Sequence, residues 1–179
     1  MQRRNRPWSR APPDDPVAAA ARGGCGTRQI PLARQLGPEP QRSRDRVIVV
    51  DSSVWIDFLN GRSAPHVRRL RTLLGAGEII VGDLMLCEVL QGLDSERAAL
   101  EVETLLRRFE IVPMAGDAIA VAAARNFRSL RRRGITIRKT IDLLIGTWCI
   151  ENRRPLLHND GDFSPMARHL GLMEVSATG

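Results

Sequence analysis

Tyrosine is absent, Lys139 is the single lysine, and aromatic residues make up 4% of the 179. Three tryptophans and four phenylalanines, widely dispersed, give no surface on which successive nucleic-acid bases would stack. Cysteine is equally scarce. Cys25, Cys87 and Cys149 are odd in number, far apart and without C-x-x-C spacing, which excludes a disulfide scaffold and a cysteine zinc site. Cys87 and Cys149 lie in apolar helical runs and read as small buried hydrophobes of a reduced, cytoplasmic protein. His66, His158 and His169 are scattered too, so zinc has no histidine ligand pattern either. No apolar run approaches the ~20 residues that cross a bilayer.

What is present divides at about residue 45. Residues 1–45 hold seven prolines, an alanine run at Ala18–Ala21 and no apolar periodicity, a composition that cannot offset the entropy of ordering. The segment reads as a disordered extension, and residues 46–179 as one domain large enough for a core. Arg3-Arg4 is a twin arginine, but Pro12-Pro13-Asp14-Asp15 stands where a targeting signal needs an apolar stretch. The net charge of +7 belongs mostly to this segment, where nine arginines face four acids. The body carries 18 basic and 16 acidic residues, weak evidence by itself for a nucleic-acid partner.

Strands and helices alternate along the body. Val47–Val50 is a β-branched apolar run typical of a strand buried on both faces, and Ile79–Val81, Phe109–Val112 and Pro155–His158 repeat the pattern. A helical turn is expected at Trp55–Leu59, with helices at Ala64–Leu74, from a cap at Asp83 to Gly92, and from a cap at Ser95 to Arg107. Further helices are predicted at Ala115–Arg133, Thr140–Asn152 and Ser164–Leu170, then a last strand at Leu172–Val175. This order predicts a three-layer α/β/α sandwich around a mostly parallel sheet.

Four acids punctuate that scheme. Asp51 ends the first strand, Glu88 lies in the helix after the second, Asp142 near the start of Thr140–Asn152, and Asp160 just past Pro155–His158. Sites in open parallel sheets form outside the carboxyl ends of strands. Singly, each acid has an ordinary explanation: a turn or cap residue for Asp51, Asp160 or Asp162, a surface position for Glu88, a dipole partner for Asp142. Together they do not. Two carboxylates ~4 Å apart repel by roughly 4 kcal/mol at an effective dielectric of 20, so a converging set must take up protons or bind a cation. An all-oxygen set suits Mg²⁺ or Mn²⁺. Glycine follows four residues after two of them, Gly92 after Glu88 and Gly146 after Asp142, which reads as room kept beside each carboxylate.

The stretches Val47-Ile48-Val49-Val50-Asp51-Ser52-Ser53-Val54-Trp55-Ile56, Glu88-x-x-x-Gly92, Gly134-Ile135-x-Ile137…Asp142-x-x-Ile145 and Asn159-Asp160-x-Asp162-Phe163 resemble a PIN domain. More narrowly they resemble the VapC-type ribonuclease toxins of bacterial toxin–antitoxin pairs. The resemblance spans the body and none of residues 1–45. It implies an α/β/α sandwich, Mg²⁺- or Mn²⁺-dependent RNA cleavage, a homodimer and a cognate antitoxin. By position, Asp51, Glu88, Asp142 and Asp160 match the acidic quartet, with Asp51, Asp142 and Asp160 on the metal, Asp162 an accessory acid, and Ser52 or Ser53 a polar neighbour.

Residues Arg125 to Lys139 hold seven bases and no acid. They read either as a solvated helix end favoured by the dipole or as a phosphate-contacting lip, with Arg131, Arg132 and Arg138 as RNA contacts. A haloacid-dehalogenase-type phosphatase needs a second Asp two residues after the first, where Ser53 stands. A phosphoacceptor receiver domain needs a late lysine that Lys139 does not supply. The remaining rival is a PIN-fold binding module without activity, and the presence of all four acids weighs against it.

Overall fold

A computed structural model describes residues 47–76 and 79–176, so the disorder expected for residues 1–45 lies outside the described residues. The body opens on strand β1 (Ile48–Val50), followed by helices α1 (Ser52–Leu59) and α2 (Pro65–Ala76). Strand β2 (Ile79–Gly82) leads into α3 (Asp83–Gln91) and α4 (Glu96–Leu106). Strand β3 (Glu110–Val112), α5 (Asp117–Arg131), α6 (Thr140–Glu151), β4 (Leu156–Leu157) and α7 (Ser164–Leu170) complete it.

All strand pairs are parallel and the sheet order is β3-β2-β1-β4. Val49 pairs with Ile80 on one side and Leu156 on the other. Successive strand residues point to opposite faces, and every residue of β1, β2 and β4 is buried, so both faces are covered. Helix contacts fall into two groups: α1 with α2 and α3, and α3 with α4; then α5 with α6 and α7. The α/β/α expectation holds. The order also places β1 at a switch point. The chain moves outward from β1 to β2 to β3, then returns to lay β4 on the other side of β1, so the loops after β1 and β4 open a crevice between them.

Local differences from the sequence reading have local causes. Helix α1 starts at Ser52 rather than near Trp55, because the Asp51 carboxylate caps it by accepting from the Ser53 amide at 2.9 Å. Asp83 is not a cap: Gly82 holds that position, and Asp83 Oδ1 accepts from the amides of Leu84 at 2.8 Å and Met114 at 2.9 Å. It thereby ties α3 to the chain after β3. Ser95 does cap α4, accepting from the Ala98 amide. The last predicted strand shrinks to a parallel bridge between Leu156 and Glu174. Gly134, with φ of +76°, ends the turn after α5 as the sequence suggested.

Cys149 is buried as expected, but Cys87 is exposed on α3. That helix is apolar nearly all round, yet only Met85, Glu88 and Val89 of it are buried, since α3 is covered on one side. The two glycines keep no space for a ligand either. Gly92 is the C-cap of α3, outside its helical run. Gly146 is buried in α6, and a Cβ there would lie 2.6 Å from Met166 Sδ, so its missing side chain admits α7.

A buried polar pair fastens α1 to α2. Asp57 Oδ2 lies 2.8 Å from His66 Nε2, and Arg62 reaches Asp57 Oδ1 at 3.0 Å. The Asn159 side chain also approaches Asp57, at 3.5 Å. Removing the imidazole leaves a buried carboxylate short of a partner. His66→Ala is expected to destabilise the fold by about 2 kcal/mol, read as a lower urea midpoint with an unchanged m value.

Candidate active site

The crevice collects the predicted acids. Asp51 sits directly after β1 and Asp160 three residues after β4, its neighbour in the sheet. Glu88 comes from the second turn of α3, and Asp142 from the first turn of α6, where the helix dipole favours an anion. Asp51, Glu88 and Asp142 are buried, at 2%, 9% and 3% exposure, a costly state for ionised carboxylates unless they are partnered.

Oxygens of Asp142, Asp160 and Asp162 lie within 4.8 Å of one another, a spacing that one cation can span. The tightest trio thus contains Asp162 where the sequence reading placed Asp51. Asp51 nonetheless belongs to the same electrostatic unit, because its charge acts on both Glu88 and Asp142. Burial raises the Asp51 carboxyl above its ordinary range, against hydrogen bonds from Ser53 that pull it down. Burial raises Glu88 too, opposed by Ser52. Asp142 is pushed up to about 7, first by burial and then by Asp51, Asp160 and Glu88, with Lys139 acting against them. Asp160 differs. Burial would raise it, but the Asp162 amide, Lys139 and Arg138 together hold it below the ordinary range.

The two serines, interchangeable in the sequence, have separate tasks. Ser52 Oγ donates to Glu88 Oε2 at 2.8 Å and fixes that carboxylate. Ser53 Oγ donates to Asp51 Oδ2 and accepts from the Asn159 amide at 3.1 Å, linking the loops after β1 and β4. Arg138 meets Asp162 through its amide and its guanidinium, both at 3.2 Å, while most of its side chain is exposed. Arg131 and Arg132 are exposed at the C-terminal end of α5. Asn159 and Lys139 were missed as parts of the site. Nothing in the sequence marks Asn159; the solitary lysine three residues before Asp142 was a signal for Lys139.

Two buried oxygens of the cluster, Asp51 Oδ1 and Asp142 Oδ2, have no hydrogen-bond partner among the described residues. Unsatisfied buried carboxylate oxygens gathered with other acids fit a hard divalent cation. Residues 48–169 match the PIN domain family. The chain belongs to that family.

Over 133 residues this PIN domain protein is 29% identical to VapC ribonuclease Mb1587 of Mycobacterium bovis, covering 73% of its own length and 98% of the relative. Ribonuclease VapC11 of Mycobacterium tuberculosis matches with the same identity and coverage. In fold it is similar to FitAcB of Neisseria gonorrhoeae, with a TM-score of 0.60 at 15% identity, covering 73% of this chain and 98% of that one. It is similar also to VapBC2 of Rickettsia felis bound to a promoter DNA fragment, with a TM-score of 0.59 at 17% identity over 72% and 97% of the two chains. Among the described residues no helix is long and apolar enough to cross a membrane.

The raised Asp142 carboxyl makes the metal-free fold sensitive to pH. The unfolded chain releases that proton near pH 3.8, the folded protein only near 7. Between these values the folded state holds the extra proton, so stability falls as pH rises through the window. Asp51, raised by burial, adds in the same sense. Asp142→Asn cannot ionise. In metal-free buffer it should exceed the wild type by about 1–3 kcal/mol at pH 8 and by little at pH 4.5, measured by chemical denaturation.

Proposed function

We propose that this PIN domain protein is a metal-dependent ribonuclease of the VapC type, the toxin of a toxin–antitoxin pair. The observation that carries this reading is the convergence of Asp51, Glu88, Asp142 and Asp160 at one sheet edge with two carboxylate oxygens left unsatisfied. The near full-length match to two proteins named as VapC ribonucleases supports it. In this reading Asp51, Asp142 and Asp160 hold Mg²⁺ or Mn²⁺, with Asp162 beside them. A divalent cation there supplies charge that offsets the build-up on a phosphodiester and eases deprotonation of an attacking water. Glu88, oriented by Ser52 and given a stronger hold on protons by burial, is the carboxylate suited to accept that proton. Ser53 and Asn159 keep Asp51 and the Asp160 loop in register.

The exposed Arg131 and Arg132, with Arg138 at the pocket rim, form the lip that meets the RNA backbone; phosphate contacts supply most of the affinity without reading sequence. Solved neighbours in fold are titled as VapBC toxin–antitoxin assemblies, which supports a cognate antitoxin as partner. A homodimer in the cytoplasm, residues 1–45 being an extension to a single nuclease domain, completes the reading.

Asp51→Asn is expected to lower RNA cleavage at least a hundredfold while leaving the circular dichroism spectrum unchanged, and EDTA should abolish wild-type cleavage until Mg²⁺ or Mn²⁺ is restored. Native-rate cleavage by the folded variant would remove Asp51 from the site; full activity in EDTA would remove the metal. Arg131→Glu with Arg132→Glu should weaken RNA binding and flatten its salt dependence by about two phosphate contacts. An unchanged slope would return these arginines to the role of a solvated helix end.

A further inference from the structure

The only lysine of the chain points into the carboxylate pocket. Lys139 Nζ lies 3.3 Å from Asp160 Oδ2 and 3.9 Å from Asp142 Oδ2, one of the two buried oxygens that lack a hydrogen bond. Its charge acts on Glu88 as well. Lys139 occupies the N-cap position of α6, yet makes no side-chain cap. A four-carbon stem at that point reaches the acids brought by α6 and by the loop after β4. Arg138 next to it meets Asp162 in the same way, so the pair Arg138-Lys139 faces the acids Asp160 and Asp162.

An ammonium bridging two carboxylates stands where a cation held by those carboxylates would stand. Resting on the reading of this pocket as a metal site, we propose that Lys139 is its resident counter-ion: it neutralises Asp142 and Asp160 in the metal-free protein and must leave them before a divalent ion binds. Lys139 thereby sets the affinity of the pocket for metal and keeps the acids together when no metal is bound. It is a positioning residue, not a ligand. Its side chain is 42% exposed, so the stem has open space into which the ammonium can withdraw. A partly exposed ion pair is weak individually, and two of them correspond to about a five- to tenfold effect on a binding constant.

The test is calorimetric titration of the full chain with Mn²⁺ or Mg²⁺ alone, for wild type, Lys139→Gln and Lys139→Arg. Lys139→Gln is expected to bind the metal about five- to tenfold more tightly and to melt at a lower temperature than wild type when metal-free, the difference closing in saturating Mn²⁺. Lys139→Arg, which keeps the charge, should stay close to wild type in affinity. Wild-type binding with an unchanged or weaker constant in Lys139→Gln would overturn the counter-ion role while leaving the metal site standing. A melting deficit of the same size with and without Mn²⁺ would also overturn it, since a merely structural lysine behaves that way. Failure of both wild type and Lys139→Gln to bind either metal would instead take down the metal-site reading, and this proposal with it.

Discussion

Like-charge repulsion among carboxylates shut away from water is the constraint around which this molecule is arranged. Asp51, Glu88 and Asp142 are buried where the loops after β1 and β4 part, and each makes the others harder to ionise. The fold answers with several small measures. Ser52 and Ser53 each donate to one acid, the Asp162 amide and Arg138 support the Asp160 and Asp162 loop, and α6 presents its positive end to Asp142. None removes the strain wholly, since Asp51 and Asp142 each retain an oxygen without a hydrogen bond among the described residues. That remainder gives a cation its reason to bind.

Much of this was legible beforehand because it rests on signals confined to single segments. The runs Val47–Val50 and Ile79–Val81 fix two fully buried strands, and an acid at the end of a parallel strand has its direction set by the sheet. The order of the four acid motifs carried the family. What escaped depended on contacts between segments distant in sequence. Asp83 looked like a cap, but the amide it serves across the fold belongs to Met114. Gly146 looked like a void beside Asp142, while Met166 fills the space from α7. Cys87 looked buried because its neighbours are apolar, and exposure depends on which sides of α3 other elements cover. Asp162, an accessory in the sequence, joins the tightest acid trio because Asp160 and Asp162 turn together toward Asp142.

Stability and chemistry share one short path in this structure. The His66–Asp57 pair that joins α2 to α1 lies beside the Asn159 side chain, and the Asn159 amide reaches Ser53, the partner of Asp51. The segment that brings Asp160 is therefore held by groups whose first task is to pack two helices. Arg62 closes the same carboxylate from the solvent side.

Asp51 divides its two oxygens between distinct duties. Oδ2 accepts from the backbone and hydroxyl of Ser53 and starts α1; Oδ1 is left facing the other acids. The torsion of that carboxylate is consequently set by the beginning of a helix, so its free lone pairs are aimed before anything arrives to use them. Folding thus performs the orienting step in advance, and the entropy that a swinging side chain would lose at the moment of binding has already been surrendered when the chain becomes compact.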